Sequence, residues 1–309
     1  MKFYKPNFWD KKNISFFSII LLPLSFLIIV LNSFRKFFTN KKKITLPVIC
    51  VGNIYLGGTG KTPLTIEIFN ILKNLKKNPA FVRKKYKTHK DEVTLQKQTG
   101  LVFEDSKRIN AINDAIKNKI NVVILDDGFQ DFSINKNLSI LCFNEKQWIG
   151  NGFVIPAGPL RERLFAIKRA QCIIINGEKN IHIEKKILSI NERIKIFYSK
   201  YIPLNIDSYS NKSIIAFAGI GNPNNFFDLL KTNKIKILKK ISFPDHYNYS
   251  DTELENLTIV AKEKNAILLT TEKDYLRISE NYKKNINYLK IKTEINNKNQ
   301  FVEEIKKII

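Results

Sequence analysis

The chain has 309 residues, enough for one large hydrophobic core or two modest ones. Hydrophobic residues make up 44% of it, which excludes a disordered chain. Its 52 Lys and Arg exceed its 28 Asp and Glu by 24 charges, a balance suited to nucleic acid, anionic lipid or phosphorylated ligands and equally to a lysine-rich solvated surface.

The first element is apolar. From Ile14 to Leu31 the chain reads ISFFSIILLPLSFLIIVL, without a charge. As a helix this covers about 27 Å, and continuing through Phe34, Phe37 and Phe38 lengthens it toward the roughly 30 Å of a bilayer core. Lys2, Lys5, Lys11 and Lys12 precede it and Lys41, Lys42 and Lys43 follow, so charge sets no orientation. A spanning helix and an interfacial helix bent at Pro23 both fit. A cleaved signal peptide does not, because Phe37-Phe38 stands where small residues belong. Residues 1–43 are thus expected to be a membrane anchor with a basic flank.

Short apolar runs then alternate with amphipathic stretches. ITLPVICVGN (44–53), NPAFV (78–82), INVVILDD (120–127), LSILCF (138–143) and QCIIIN (171–176) are continuous and β-branched, as strands buried on both faces should be. A helix over 62–77 is predicted among them. The pattern is that of an α/β lobe with a parallel sheet, over 44–205. Cys50, Cys142 and Cys172 fall in such strands, three in number and widely spaced. That excludes a disulfide framework or zinc site and fits a reducing compartment. A smaller α/β lobe over 206–309 follows, with strands at 213–219, 234–243, 266–271 and 286–291. Ser250-Asp251-Thr252-Glu253 is a capping box opening a helix that runs to about Lys264.

Between the first strand and the first helix lies Gly52-Asn53-Ile54-Tyr55-Leu56-Gly57-Gly58-Thr59-Gly60-Lys61-Thr62-Pro63. Glycines let backbone N–H groups turn inward around phosphate oxygens, and the helix N-terminus adds partial positive charge. The expected ligand is ATP with Mg²⁺, bound by residues 55–62: Tyr55, Leu56, Gly57, Gly58, Thr59, Gly60, Lys61 and Thr62. Lys61 would reach the β- and γ-phosphates, and Thr62 would offer its hydroxyl to the metal. Tyr55 stands where the usual phosphate-loop pattern has its first glycine. Asp126 or Asp127, closing the run VVIL, would organise the metal. Only eight of the 52 basic residues are Arg, yet Arg161, Arg163 and Arg169 cluster, which points to a need for the planar guanidinium fork.

With these residues in hand the chain resembles the tetraacyldisaccharide 4'-kinase family, the lipid A kinases of Gram-negative bacteria. Blocks in the same order carry the resemblance: NFWDKKNISFFSIILLPLSFL (7–27), VGNIYLGGTGKTP (51–63), DDGFQD (126–131), GNGFVIPAGPLRE (150–162), AFAGIGNPNNFF (216–227), FPDHYNYSD (243–251) and LLTTEKD (268–274). The family's phosphate loop also lacks the first glycine. The resemblance implies a kinase whose acceptor is the 4'-hydroxyl of a tetraacylated disaccharide 1-phosphate. It also implies a base pair of Asp and His, which map to Asp91 and His246. Arg161 and Arg163 are candidates to hold the substrate's 1-phosphate or the nucleotide's charge. His89 and His182 sit in unpatterned stretches. The partners expected are the anionic lipid-linked disaccharide and the inner-membrane surface, with the catalytic part facing the cytoplasm and no obligate protein partner. Nucleic acid is not expected, since clustered aromatic-basic motifs are missing.

The chain also departs from the family. Arg83-Lys84-Lys85-Tyr86-Lys87 replaces an S-R-G-Y-G run, Lys90-Asp91-Glu92-Val93 replaces G-D-E-P, and Asp131 replaces the His that closes the DDG block. The alternative reading is a membrane-bound phosphate-loop ATPase with a regulatory or targeting role.

Overall fold

The computed structural model describes residues 5–11, 14–86 and 90–309. Lys2, Lys12, Lys87 and His89, used above, lie outside them. Two units are present: one takes in Lys5–Tyr86, Thr99–Lys200 and Glu294–Ile309, and the other Tyr201–Thr293 with the short helix α3 described below.

In the first unit, helix α1 (Phe16–Phe38) runs unbroken through Pro23. Its polar stripe faces inward and its apolar face outward. Ser18 and Ser25 are buried, while Phe16, Phe17, Ile20, Phe26 and Phe37 are exposed. Ser25 Oγ donates to Val154 O (2.8 Å) and accepts from Ala157 N (3.0 Å), and Asn151 Nδ2 donates to Ser18 Oγ (3.1 Å). Among the described residues this is the helix long and apolar enough to cross a membrane.

Strands β1 (Val48–Gly52), β2 (Pro79–Lys84), β3 (Val102–Asp105), β4 (Val122–Asp126), β5 (Leu138–Asn144), β6 (Cys172–Asn176) and β7 (Lys195–Pro203) pair in parallel. Helix α2 (Lys61–Asn74) buries Leu64, Ile68, Phe69, Ile71 and Leu72, the stripe a 3.6-residue period presents to a sheet. In chain order α3 (Lys90–Lys97) precedes β3, α4 (Arg108–Lys117) follows it, and α5 (Ile181–Leu188) follows β6. The sequence showed neither β3 nor β7. β3 is half-buried at the sheet edge, and β7 is buried only at Phe197, Tyr198 and Ser199, with Lys195 and Lys200 exposed, so neither reads as an apolar run. All three cysteines are free and buried in strands, where burial pushes the Cys50 thiol up to about 11 and Cys172 to about 12.

The second unit is built on β8 (Ser213–Ala218), β9 (Lys236–Ser242), β10 (Ile267–Thr271) and β11 (Ile286–Leu289), a parallel sheet in the order β11-β10-β8-β9. α6 (Pro223–Thr232) and α7 (Asp251–Glu263) cover it, and α8 (Glu272–Tyr275) and α9 (Glu280–Lys283) are single turns. The capping box forms as expected, with Glu253 N donating to Ser250 Oγ (3.3 Å) and Ser250 N to Glu253 Oε2 (2.9 Å).

The run read as one strand at 286–291 breaks at Lys290, whose N–H donates to Asn205 Oδ1 (2.9 Å). β12 (Ile291–Ile295) then joins β7, completing an eight-stranded sheet in the order β12-β7-β6-β5-β1-β4-β2-β3. The C-terminal helix α10 (Lys298–Lys306) therefore belongs to the first unit and not to the 206–309 lobe suggested by sequence. Its Phe301 and Ile305 are fully buried beside Leu72, with Phe301 edge-on to Phe197 at 5.3 Å. Phe301→Ala is expected to lower stability by about 3–5 kcal/mol, measured by chemical denaturation.

β1 lies between β4 and β5, so strand order reverses on either side of it. The carboxyl end of such a switch-point strand is where ligands bind in open α/β sheets.

Candidate active site

The loop after β1 leads into α2 through Gly60, whose φ of 88° is left-handed, and Gly57 shares that feature at 104°. No left-handed residue falls at Tyr55, so glycine is not required there. The Tyr55 ring is instead fully buried with Val154 and Leu160, and Ile28 and Ile29 of α1 pack against them. Its hydroxyl donates to Asp10 (2.6 Å). The block at 150–162 braces the loop: Leu56 N donates to Pro159 O (2.8 Å) and Arg161 N to Ile54 O (2.7 Å). From inside, buried Asn53 donates to Tyr55 O and to Thr59 Oγ1 (3.0 Å), and Gln130 Nε2 donates to Asn53 O (2.9 Å). Side chains from within and the 150–162 block thus brace the loop from both sides.

The two aspartates after β4 part company. Asp126 is buried against Arg83 at 2.8 Å, a pair almost without solvent. Asp127, left-handed at φ 56°, turns to the phosphate loop. Arg161 Nη1 meets both its oxygens (2.8 and 2.9 Å), and Lys61 Nζ lies 3.7 Å away. Burial works to raise the Asp127 carboxyl, but the charges of Lys61 and Arg161 outweigh it and hold the group far below the usual carboxylate range. Arg108, at the start of α4, donates to Asp127 O (2.8 Å) and pairs with Asp131 at 3.2 Å. Asp131 is thereby tied into the frame of this site. Arg163 is exposed and forms no ion pair with this site among the described residues, and Arg169 pairs with Glu162 at 2.6 Å.

In the second unit α3 brings Asp91 to His246. His246 Nδ1 lies 3.5 Å from Asp91 Oδ1. The Asp91 side chain is fully buried, with Arg277 Nε at 3.5 Å and Lys273 Nζ at 4.0 Å. Burial acts to raise this carboxyl, but the hydrogen bond from His246 and the charges of Lys273 and Arg277 prevail and lower it. Lys273 also pairs with Glu92 at 2.8 Å.

Sequence reasoning missed Asn53, Gln130, Arg108, Lys273 and Arg277. Among the described residues no group of three or more His, Cys, Asp or Glu could hold a metal by itself. A carboxylate at Asp127 and a hydroxyl at Thr62 are hard oxygen donors of the kind Mg²⁺ takes when phosphates and water supply the rest. The residues therefore fit that ion.

Residues 17–309 match the family model described as tetraacyldisaccharide-1-P 4'-kinase. The chain is 43% identical over 314 residues to the tetraacyldisaccharide 4'-kinase of Pelagibacter ubique, covering 100% of this chain and 99% of that one. It is 35% identical over 322 residues to that of Rickettsia bellii, covering 99% and 98%. Among solved structures, LpxK from Aquifex aeolicus in complex with ATP matches with a TM-score of 0.70 at 27% identity, over 94% of this chain and 99% of that one.

Proposed function

Because the chain belongs to the tetraacyldisaccharide-1-P 4'-kinase family, and is thereby an ATP-dependent phosphotransferase of lipid A assembly, we propose how its residues carry out the transfer. The phosphate-loop N–H groups and Lys61 cradle the β- and γ-phosphates. Thr62 and Asp127 are the residues that would hold Mg²⁺, whose charge would be set against that of the phosphates. The acceptor is the 4'-hydroxyl of the distal glucosamine. Its oxygen forms a bond to the γ-phosphorus as the bridging oxygen leaves with ADP, and its proton passes to His246. With Nδ1 turned to Asp91, Nε2 is the nitrogen that takes it, and Asp91 stabilises the imidazolium formed. The transition state is largely metaphosphate-like, so positioning and charge carry most of the catalysis.

A cavity of about 650 Å³ is lined by Arg35, Lys42, Lys84, Lys107, Arg108 and Arg161, with Asp127 and Asp131 the carboxylates among its walls. This cationic excess suits the anionic headgroup of the acceptor, and Arg161 is the member that also reaches Asp127. The exposed Arg163 extends the same charge. The enzyme works at the inner membrane with its catalytic units in the cytoplasm, where ATP is available. Docking of α1 through Ser18, Ser25 and Asn32 supports a helix lying in the interface over one crossing it.

The observation that carries this reading is the pairing of Lys61 and Arg161 on Asp127 at the mouth of the phosphate loop. The test is transfer of label from γ-labelled ATP into the lipid fraction, with Mg²⁺ and the tetraacyl disaccharide 1-phosphate. Labelled lipid is expected only when the acceptor is present. ATP consumed at the same rate with or without acceptor, and no labelled lipid, would replace the kinase with an ATPase.

A further inference from the structure

Arg277 follows α8 and is nearly buried, and its guanidinium ties together the surroundings of His246 and Asp91. Nη1 donates to Tyr247 O (3.1 Å), and Nη2 donates to Gly219 O (2.9 Å) and Asp274 Oδ1 (2.6 Å). Gly219 O also accepts the His246 N–H (3.1 Å). The guanidinium thus holds the Tyr247 carbonyl, one residue beyond the imidazole, and the Gly219 carbonyl that accepts the His246 N–H. His246 needs such fixing. Its φ of 55° is left-handed, a conformation that costs a side-chain-bearing residue about 1–3 kcal/mol and persists only where the surroundings impose it.

Asp274 orients the guanidinium from behind. It is fully buried, accepting from Gly219 N (2.9 Å), Tyr249 Oη (2.7 Å) and Thr271 Oγ1 (2.6 Å). The remaining edge of the fork, Nε, donates to Lys273 O (3.4 Å) and stands 3.5 Å from Asp91 Oδ2 as its charge partner.

We propose that Arg277 is a positioning residue for phosphoryl transfer, fixing the backbone around His246 with two donors and holding the Asp91 carboxylate by its charge at Nε, so that the two side chains act as one base. This rests on the reading of Asp91 and His246 as that base. A lysine cannot substitute for the fork, because its single ammonium cannot donate in three fixed directions. Charge alone is not what Arg277 supplies, since Lys273 already stands within 4.0 Å of Asp91.

The test uses the full-length chain in detergent, with labelled transfer to the acceptor lipid and a thermal melt for every variant. Arg277→Gln is expected to lower kcat about 30- to 100-fold with KM for ATP changed less than about threefold, as displacement of a reacting group by about an ångström does. Arg277→Lys should recover only part of that loss. In an Asp91→Asn background, itself down about 10²–10³-fold, Arg277→Gln should cost less than about threefold more, because groups that act as a unit are not additive. A full additional loss in that background would overturn the proposal while leaving the base intact. So would a lowered melting point with kcat unchanged. Asp91→Asn at wild-type rate would instead remove the base reading, and the proposal with it.

Discussion

Lys61→Ala is expected to transfer phosphate at about a thousandth of the wild-type rate or less, a loss of about 4 kcal/mol of transition-state stabilisation. The side chain leaves the first residue of α2, where the helix N-terminus already favours anions. Its ammonium lies 3.7 Å from Asp127, too far for an ordinary hydrogen bond. That charge is therefore available for phosphate oxygens. Removing it leaves the developing charge on the transferred group to backbone N–H groups, Arg161 and the metal. The folded state should lose little, since Arg161 keeps Asp127 paired. The measurement is the initial rate of lipid labelling across ATP concentrations, beside a thermal melt. A variant within tenfold of wild type at saturating ATP would mean that Lys61 is not the phosphate ligand.

The phosphate loop was legible in sequence because it is contiguous. Strand, glycine turn, Lys-Thr and helix follow one another, and each announces itself within a few residues. The base pair was not legible in this way. Asp91 sits on α3, a helix between β2 and β3 of one unit that groups with the other. Nothing in its local pattern announces a partner as distant as His246, and only the family resemblance joined them.

A signal for the missed residues was present in the scarcity of arginine, used above only for the cluster at 161–169. Arg83, Arg108, Arg161, Arg169 and Arg277 each pair with a carboxylate that is buried or partly buried. In a chain that defaults to lysine, these are the places where a planar fork is needed. Asn53 and Gln130 carried no comparable mark, because they act through backbone carbonyls that only the folded loop presents.

Asp127→Asn and Asp126→Asn should separate two roles that adjacent sequence positions hide. Asp126 is enclosed with Arg83, and making it neutral takes a charge partner from a buried guanidinium, at about 3–5 kcal/mol. Asp126→Asn is therefore expected to show itself first as lost stability in denaturant. Asp127 is different. Its carboxylate is held ionised by Lys61 and Arg161, two cations that a bound triphosphate would share. Because its carboxyl is depressed, the stability this group contributes is present above the unfolded value near 4 and is lost only as pH falls through the folded one. It stays charged through the whole working range, so loss of activity on mild acidification would not report it. Asp127→Asn should keep its fold, and without Mg²⁺ it should bind ATP as well as or better than wild type, because a competing anion is gone. With Mg²⁺, transfer should fall about 10²–10³-fold and need more metal to saturate, as expected when a charged group at the reacting phosphates is lost. Binding is read by equilibrium titration in a chelator, and transfer by lipid labelling across a Mg²⁺ series. If Asp127→Asn keeps a wild-type metal dependence, the metal is organised elsewhere and Asp127 serves only to hold Arg161.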